Sequence, residues 1–460
     1  MSDSLLSVGL DVGTTSTQMV LSELVVENRA SSFAVPEMEI THRKIRYKSP
    51  VYFTPLLEGN LVDGAGIRHI VEEEYRKAGI NRTQVDTGAI IITGETSRRE
   101  NARRVLAELS DFAGDFVVAT AGPELESILA AKGSGAVDDS AQTGKTVLHM
   151  DIGGGTANLA LIENGRITRT GCMNVGGRLI RFDSSDRVTY VSPVLSSACP
   201  VKPGDRVTED LLREVAKQLV SALEWCNYGS QKALQLHPFW TEEAGFGGWP
   251  LTEKPDILSF SGGVADCIAQ EYPWRTFGDL GPILGQAIRH SSLCRGPFRL
   301  GEETIRATVI GAGCHSTQLS GSTVFCQNVP LPLKNLPVTV VGETGENLPD
   351  LIGNTRKTAE QTPVFALSGI PAPSYAQVAE LAEKIARGAE NGPIYLALEA
   401  DMAKALGHAL AVRMGRSARI LCIDRVKLSE NSYLDVGLPI GPALPVVIKT
   451  LVLAKAGEKP

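Results

Sequence analysis

The stretch Leu10-Asp11-Val12-Gly13-Thr14-Thr15-Ser16-Thr17 follows an apolar run at 5–10 and leads into a second strand-like run at 18–21. Apolar run, polar glycine turn and returning run spell strand, turn, strand. The pattern recurs at Asp151-Ile152-Gly153-Gly154-Gly155-Thr156, between strand-like runs at 146–150 and 158–162 and 140 residues after the first. Glycine lets such a turn approach an anion closely, exposed N–H groups and Thr hydroxyls donate to phosphate oxygens, and the Asp carboxylate can hold water on Mg²⁺. One Asp-Gly-Thr turn is ordinary hairpin chemistry. Two in one chain can clamp a single triphosphate. A third turn, Ser261-Gly262-Gly263, ends the apolar run at 256–260 and offers backbone without side chains, against which a flat base or ribose can lie.

Around these turns the chain has the composition of an ordinary globular protein. Its 460 residues are 43% hydrophobic and 21% charged, enough for about three domains and too apolar for wholesale disorder. The 46 glycines exceed the usual share and direct attention to tight turns. A net charge of −7 without a long basic run excludes an electrostatic footprint for nucleic acid. Eight cysteines at 172, 199, 226, 267, 294, 314, 326 and 422 include no Cys-x-x-Cys pair, so reduced thiols are expected. The first ten residues show neither a basic n-region nor a long apolar h-region. The charge-free run at 307–333 is rich in Gly, Ser, Thr and Gln and reads poorly as a membrane span. A cytosolic, soluble protein is expected, with no membrane partner.

Helical spacing of Ile67, Ile70, Val71 and Tyr75 predicts a helix over 64–78 capped by Gly79. A buried strand is expected at 89–92, ending at Thr93-Gly94-Glu95-Thr96, with a polar-faced helix at 98–109, a strand at 116–119 and a helix at 123–131. Thr208 should cap a helix running towards Tyr228, with Leu212, Val215, Leu219 and Leu223 as its buried stripe. The aromatic segment 237–250 is expected to be a packed loop rather than an interaction edge. The small-residue run at 308–313 suggests a helix end or crossing, and the Pro-rich stretch at 329–337 a linker. Beyond it, strand-like runs at 394–398 and 419–423 alternate with helical patterns at 375–387 and 401–413, an additional α/β segment.

Several motifs lead nowhere. Gly144-Lys145-Thr146 mimics the end of a P-loop, but Asp139 stands where its first glycine belongs and a strand follows. None of the seven histidines lies in a zinc-protease or base-off cobalamin pattern, so structural or surface roles are expected for them.

The order of elements resembles the actin, sugar-kinase and Hsp70 ATPase superfamily. Residues 11–17 resemble its phosphate-1 turn and residues 151–156 its phosphate-2 turn. Asn174-Val175-Gly176-Gly177 is similar to the following Gly-Gly turn, Ser261-Gly262-Gly263 to the adenosine turn, and Gly311-Ala312-Gly313 to the second connecting helix. Glu124, opening a helix that runs through Gly133, stands where the Hsp70 first connecting helix carries its carboxylate. Within the superfamily the whole chain looks most like the reactivating factors of ethanolamine ammonia-lyase. The resemblance implies two ribonuclease H-like βββαβα lobes at 1–145 and 146–330, followed by the extra α/β segment at 331–460.

It also implies an ATP- and Mg²⁺-dependent ATPase that acts as a chaperone. Such a chaperone releases damaged cobalamin from its partner, the lyase that holds the cofactor, so that intact adenosylcobalamin can bind. On this basis Asp11 and Asp151 organise Mg²⁺, and Gly13, Thr14, Thr15, Gly153, Gly154, Gly155 and Thr156 surround the phosphates. Gly262 and Gly263 receive the nucleoside, and Glu124 orients the attacking water. One departure matters: residues 15–17 carry no counterpart of the Hsp70 phosphate-1 lysine. A homodimer and association with a bacterial microcompartment stay open, as do a diol dehydratase client, an actin-like scaffold and a small-molecule kinase using Asp86 or Glu95 as base.

Overall fold

The computed structural model describes residues 3–13, 16–29, 38–57, 61–93, 105, 117–120, 122–195, 201–227, 238–241, 249–301, 303–315, 317–320, 323–341, 347–359, 361–390, 392–428, 432–439 and 443–450. Thr14, Thr15, Glu95 and the helix expected at 98–109, except Val105, lie outside them.

The two Asp-Gly turns each join a pair of antiparallel strands. In the first sheet β1 (Asp3–Val12), β2 (Ser16–Asn28) and β3 (Met38–Lys48) are antiparallel, with β4 (Tyr52–Phe53) on the end of β2. β5 (Thr87–Ile92) and β6 (Val117–Thr120) then run parallel to β1, giving the order β3-β2-β1-β5-β6. The second sheet repeats this plan. β7 (Val147–Ile152), β8 (Ala157–Glu163) and β9 (Arg166–Met173) are antiparallel, β10 (Ile180–Phe182) and β11 (Val188–Val191) form a side hairpin, and β12 (Ile257–Ser261) and β13 (Phe298–Leu300) continue parallel to β7. Antiparallel three then parallel two, in the spatial order 3-2-1-4-5, is the ribonuclease H-like plan in both lobes.

Local chemistry explains the helices. α1 (Gly64–Ala78) starts where the Asp63 side chain accepts from Gly66 N at 3.0 Å and stops at Gly79 with φ 68°. It covers the outer face of the first sheet through Ile67, Val71 and Tyr75. α2 (Pro123–Gly133) and α3 (Ala136–Thr143) precede β7, and Gly144-Lys145 forms the turn between α3 and that strand. α4 (Glu209–Asn227) is capped by Thr208 and packs Leu212, Val215, Leu219 and Leu223 on the second sheet, together with α5 (Gly263–Ala269) and α6 (Gly281–His290).

α2 and α7 (Ala307–His315) are exchanged between the lobes. α2 packs on β7, β8 and β9 of the second sheet, and α7 on β1, β2 and β5 of the first. The two helices cross where neither tolerates a side chain. A Cβ on Gly133 would sit 1.8 Å from the Ala307 carbonyl oxygen, and one on Gly311 2.0 Å from that of Leu129. The small-residue run at 308–313 is thus a helix crossing.

The third sheet has the order β14-β21-β20-β16-β17-β18-β19-β15, formed by β14 (Thr317–Leu319), β15 (Phe325–Gln327), β16 (Leu333–Val340), β17 (Val364–Leu367), β18 (Ile394–Leu398), β19 (Ile420–Ile423), β20 (Ser432–Val436) and β21 (Pro445–Thr450). β16 to β19 are parallel, joined by α8 (Leu348–Thr358), α9 (Tyr375–Ala389) and α10 (Ala403–Met414), all on one face. The expected linker at 329–337 is corrected here. Val329 and Leu336 are buried, and β16 pairs with β17 on one side and β20 on the other, so most of the stretch is sheet interior. β14 and β15 lie before residue 331 and still pair into this sheet.

Among the described residues no helix is long and apolar enough to cross a membrane. Seven described cysteines form no disulfide. In the aromatic segment Trp240 and Trp249 are buried with ring centroids 5.8 Å apart, and Trp249 Nε1 donates to Thr170 O at 2.9 Å, so its described part is packed.

Candidate functional site

The two Asp-Gly hairpins have one backbone design. Gly13 N donates to Ser16 O at 2.8 Å, and Gly153 N to Thr156 O at 2.9 Å. In register, Asp11 faces Gln18 and Asp151 faces Asn158. The turn at Gly176-Gly177 straps the second hairpin: Gly177 N donates to Gly153 O at 3.0 Å and Arg178 N to Gly154 O at 2.7 Å. A Cβ on Gly176 would lie 2.4 Å from the Gly154 oxygen. Gly262, at φ +85°, lies against Ile152 so closely that a Cβ would meet its carbonyl oxygen at 2.3 Å. Gly263 then opens α5. Three glycine turns from distant parts of the sequence are therefore nested on the end of β7.

Asp11 and Asp151 are both buried. Burial pushes the Asp11 carboxyl up to about 7, the Thr93 hydroxyl bonded to its Oδ1 at 2.9 Å opposes that shift, and the charge of Asp151 adds to it. Burial pushes Asp151 to about 6, against hydrogen bonds from Ser261 Oγ at 2.5 Å and Thr308 Oγ1 at 3.5 Å. Two carboxylates held out of water, one within reach of the other's charge, are a donor set short of positive charge. A Mg²⁺ bound through one or two carboxylates and several waters fits it. Among the described residues no group of three or more His, Cys, Asp and Glu side chains gathers as an all-protein metal cage.

Ser261 also lies 3.0 Å from His149 Nε2, and His149 Nδ1 lies 3.0 Å from Ser259 Oγ. The serine has one proton. If it goes to Asp151, Nε2 must carry the hydrogen that Ser261 accepts, and Nδ1 must accept from Ser259, which assigns the neutral Nε2–H tautomer. Burial holds this imidazole neutral, with its pKa pushed down to about 3. The structural role expected for the histidines is filled at this position by a buried polar relay.

Glu124 stands exposed in the first turn of α2, while Glu126, one turn face away, is buried and accepts from Asn158 Nδ2 at 2.9 Å. Glu126, Thr308, His149 and Arg178 escape a reading of the sequence because each acts across elements. Of the four, His149 carries a local signal, a polar residue inside an apolar strand. Asp86, cast above as a kinase base, accepts from Leu6 N at 2.7 Å.

Two ribonuclease H-like sheets, exchanged helices and an Asp-Gly hairpin at the corresponding place in each sheet define the fold class of actin, Hsp70 and the sugar kinases. The chain belongs to the family described as ethanolamine utilisation protein EutA, which matches residues 3–454. It is 36% identical to the ethanolamine ammonia-lyase reactivase EutA of Escherichia coli strain K12, over 97% of this chain and 98% of that protein. It is 35% identical to the protein of the same name from Salmonella typhimurium, again over 97% and 98%. Among solved structures, the Aquifex aeolicus PPX-GPPA enzyme is similar at a TM-score of 0.41 and 11% identity, over 67% of this chain and 99% of its own.

Proposed function

We propose that this protein is an ATP-dependent reactivating chaperone of ethanolamine ammonia-lyase, one that lets damaged cobalamin leave the lyase and intact adenosylcobalamin enter. The observation that carries the nucleotide half is the pair of buried carboxylates on two glycine hairpins of one backbone design, near enough that the charge of Asp151 acts on Asp11. The names of the E. coli and Salmonella relatives support the client.

In this reading Asp11 and Asp151 hold Mg²⁺ and its waters. Mg²⁺, when bound, neutralises charge on the phosphates. Thr14 and Thr15 on one hairpin and Gly154, Gly155 and Thr156 on the other donate to the phosphate oxygens, Gly13 and Gly153, whose N–H groups close the turns, let the backbone come close to them, Gly262 and Gly263 receive the nucleoside, and Glu124 orients the attacking water. Residues 1–145 and 146–330 act as the two lobes, which move about the α2–α7 crossing. The 331–460 segment, with β14 and β15 added to its sheet, takes part in docking the client. Nucleotide state then changes affinity for the lyase, which is the only way binding energy at one site can open another.

The test is recovery of lyase activity after inactivation with cyanocobalamin, in the presence of adenosylcobalamin, Mg²⁺ and this protein. Recovery with ATP and none without nucleotide is expected. Equal recovery in both arms would remove ATP from the mechanism, and no recovery with intact ATP hydrolysis would point to a different client.

A further inference from the structure

The first hairpin offers a triphosphate no cation, since residues 11–18 contain neither Lys nor Arg. A cation does stand at the strap of the second. Arg178 is fixed at its backbone by the bond from its N to Gly154 O, and its Nε donates to Asp279 Oδ2 at 3.1 Å. Asp279 is itself fixed, accepting from Gly281 N at 2.9 Å. Burial holds the Asp279 carboxyl above the usual range in spite of these two donors. With Nε engaged, the two terminal nitrogens of the guanidinium fork remain to face elsewhere. The guanidinium lies over Phe53, its carbon 5.6 Å from the centre of the ring.

Phe53 is no casual neighbour. It is the register partner of Ser16, the residue that closes the first hairpin, and 78% of it is exposed. The next residue, Thr54, donates to Gly13 O at 2.8 Å and lies 3.1 Å from Thr17 Oγ1. The ring is thus fastened to one phosphate turn and the guanidinium to the other, and their contact bridges the two. An exposed cation–ring contact is weak, whereas a guanidinium on a phosphate makes short, charge-assisted and paired hydrogen bonds.

We propose that Arg178 is a nucleotide-sensing residue. Its guanidinium leaves Phe53 for the terminal phosphate of a bound nucleoside triphosphate and returns to the ring when a diphosphate is left. This rests on the nucleotide-binding reading given above and adds to it the group that distinguishes tri- from diphosphate.

The experiment measures ATP and ADP affinity of the full chain with Mg²⁺, by displacement of a fluorescent nucleotide, for the wild type and Arg178→Gln. The glutamine amide can still donate to Asp279, which protects the fold, and a thermal melt checks this. The ATP-to-ADP affinity ratio is expected to fall about tenfold, with ADP affinity moving less than about threefold. A reporter leaves Arg178 intact: in Phe53→Trp, indole emission should change with ATP and stay constant with ADP, and the response should vanish when Arg178→Gln is added. An unchanged ratio in Arg178→Gln, or equal emission changes with both nucleotides, overturns the proposal. Wild-type protein that binds neither nucleotide overturns the reading beneath it as well.

Discussion

The two Asp-Gly hairpins share a register, a turn hydrogen bond and a buried carboxylate, yet they are supported differently. Among the described residues Asp11 is held by one hydroxyl, from Thr93 at the end of β5. Asp151 has hydroxyls from Ser261 and Thr308 and, behind Ser261, the buried imidazole of His149. The turn after Asp151 is also strapped by Gly176-Gly177 and overlain by Gly262. One backbone motif can therefore be a loosely held contact or a fixed post, depending on what later strands bring to it. A cleft that must close on a ligand needs both kinds.

Asp11→Asn and Asp151→Asn should break both hairpins alike, lowering phosphate release by about 10²-fold or more, the scale of losing a positioned charge in a phosphoryl-transfer site. Wild-type turnover in either variant would end the symmetry between them. The glycines separate next. Gly176→Ala and Gly262→Ala drive a Cβ into backbone oxygens at 2.4 and 2.3 Å and should cost about 1–3 kcal/mol or more. Gly155→Ala, with nothing within 4 Å of the added carbon, should melt with the wild type. Equal melting temperatures for Gly155→Ala and Gly176→Ala would show that the strap is not tight.

Removing the hydroxyls sharpens the contrast. Ser261→Ala takes the 3.0 Å partner from the buried His149 Nε2–H, leaving it Ser134 Oγ at 3.4 Å, and should cost about 1–3 kcal/mol in a denaturant titration, with Thr308 still on Asp151. Thr93→Val should cost about 1 kcal/mol, and its larger effect should be a weaker response of nucleotide binding to Mg²⁺, because Asp11 loses the donor that orients it. A larger Mg²⁺ effect in Ser261→Ala would reverse this order of support.

A further contrast lies in pH. In Mg²⁺-free protein the folded pKa values of Asp11, about 7, and Asp151, about 6, lie above the ordinary 3.8, so the folded state binds more protons and these groups add stability as pH falls from about 7 towards 4. His149 works the other way. Its folded value of about 3 lies below 6.5, so its contribution is lost as pH falls through that window. Each group can change the slope by at most about 1.4 kcal/mol per pH unit within its range. Asp11→Asn should therefore be more stable than wild type near pH 8 and lose that advantage near pH 4. A pH-independent difference would show that Asp11 is solvated.

Much of this was legible from the chain. The hairpins, α1 with its Gly79 stop, α4 with its Thr208 cap and the buried β5 follow from local periodicity and turn chemistry. Residues 329–337 misled because Pro330, Pro332 and Pro337 suggest a linker, whereas Pro337 pairs with Tyr433 beside an irregular register that tolerates it. Pairing across such a distance leaves no local trace. The site shows the same limit. Its glycines and aspartates stand out, but His149 needs Ser259 and Ser261, and Arg178 needs Phe53, before either acquires a role.

The exchange of α2 and α7 also has a consequence for biosynthesis. Leu5, Val20, Leu24 and Val26 of the first sheet are covered by Val309, Ile310 and Cys314, so the N-terminal lobe cannot seal its inner face until the chain has been made to about residue 315. The nascent lobe has to carry that apolar surface uncovered while the whole second lobe is translated, a long-range closure that slows folding and exposes it to aggregation. A chain stopped at residue 145 should accordingly be retained by chaperones or precipitate, while one extended through α7 should not.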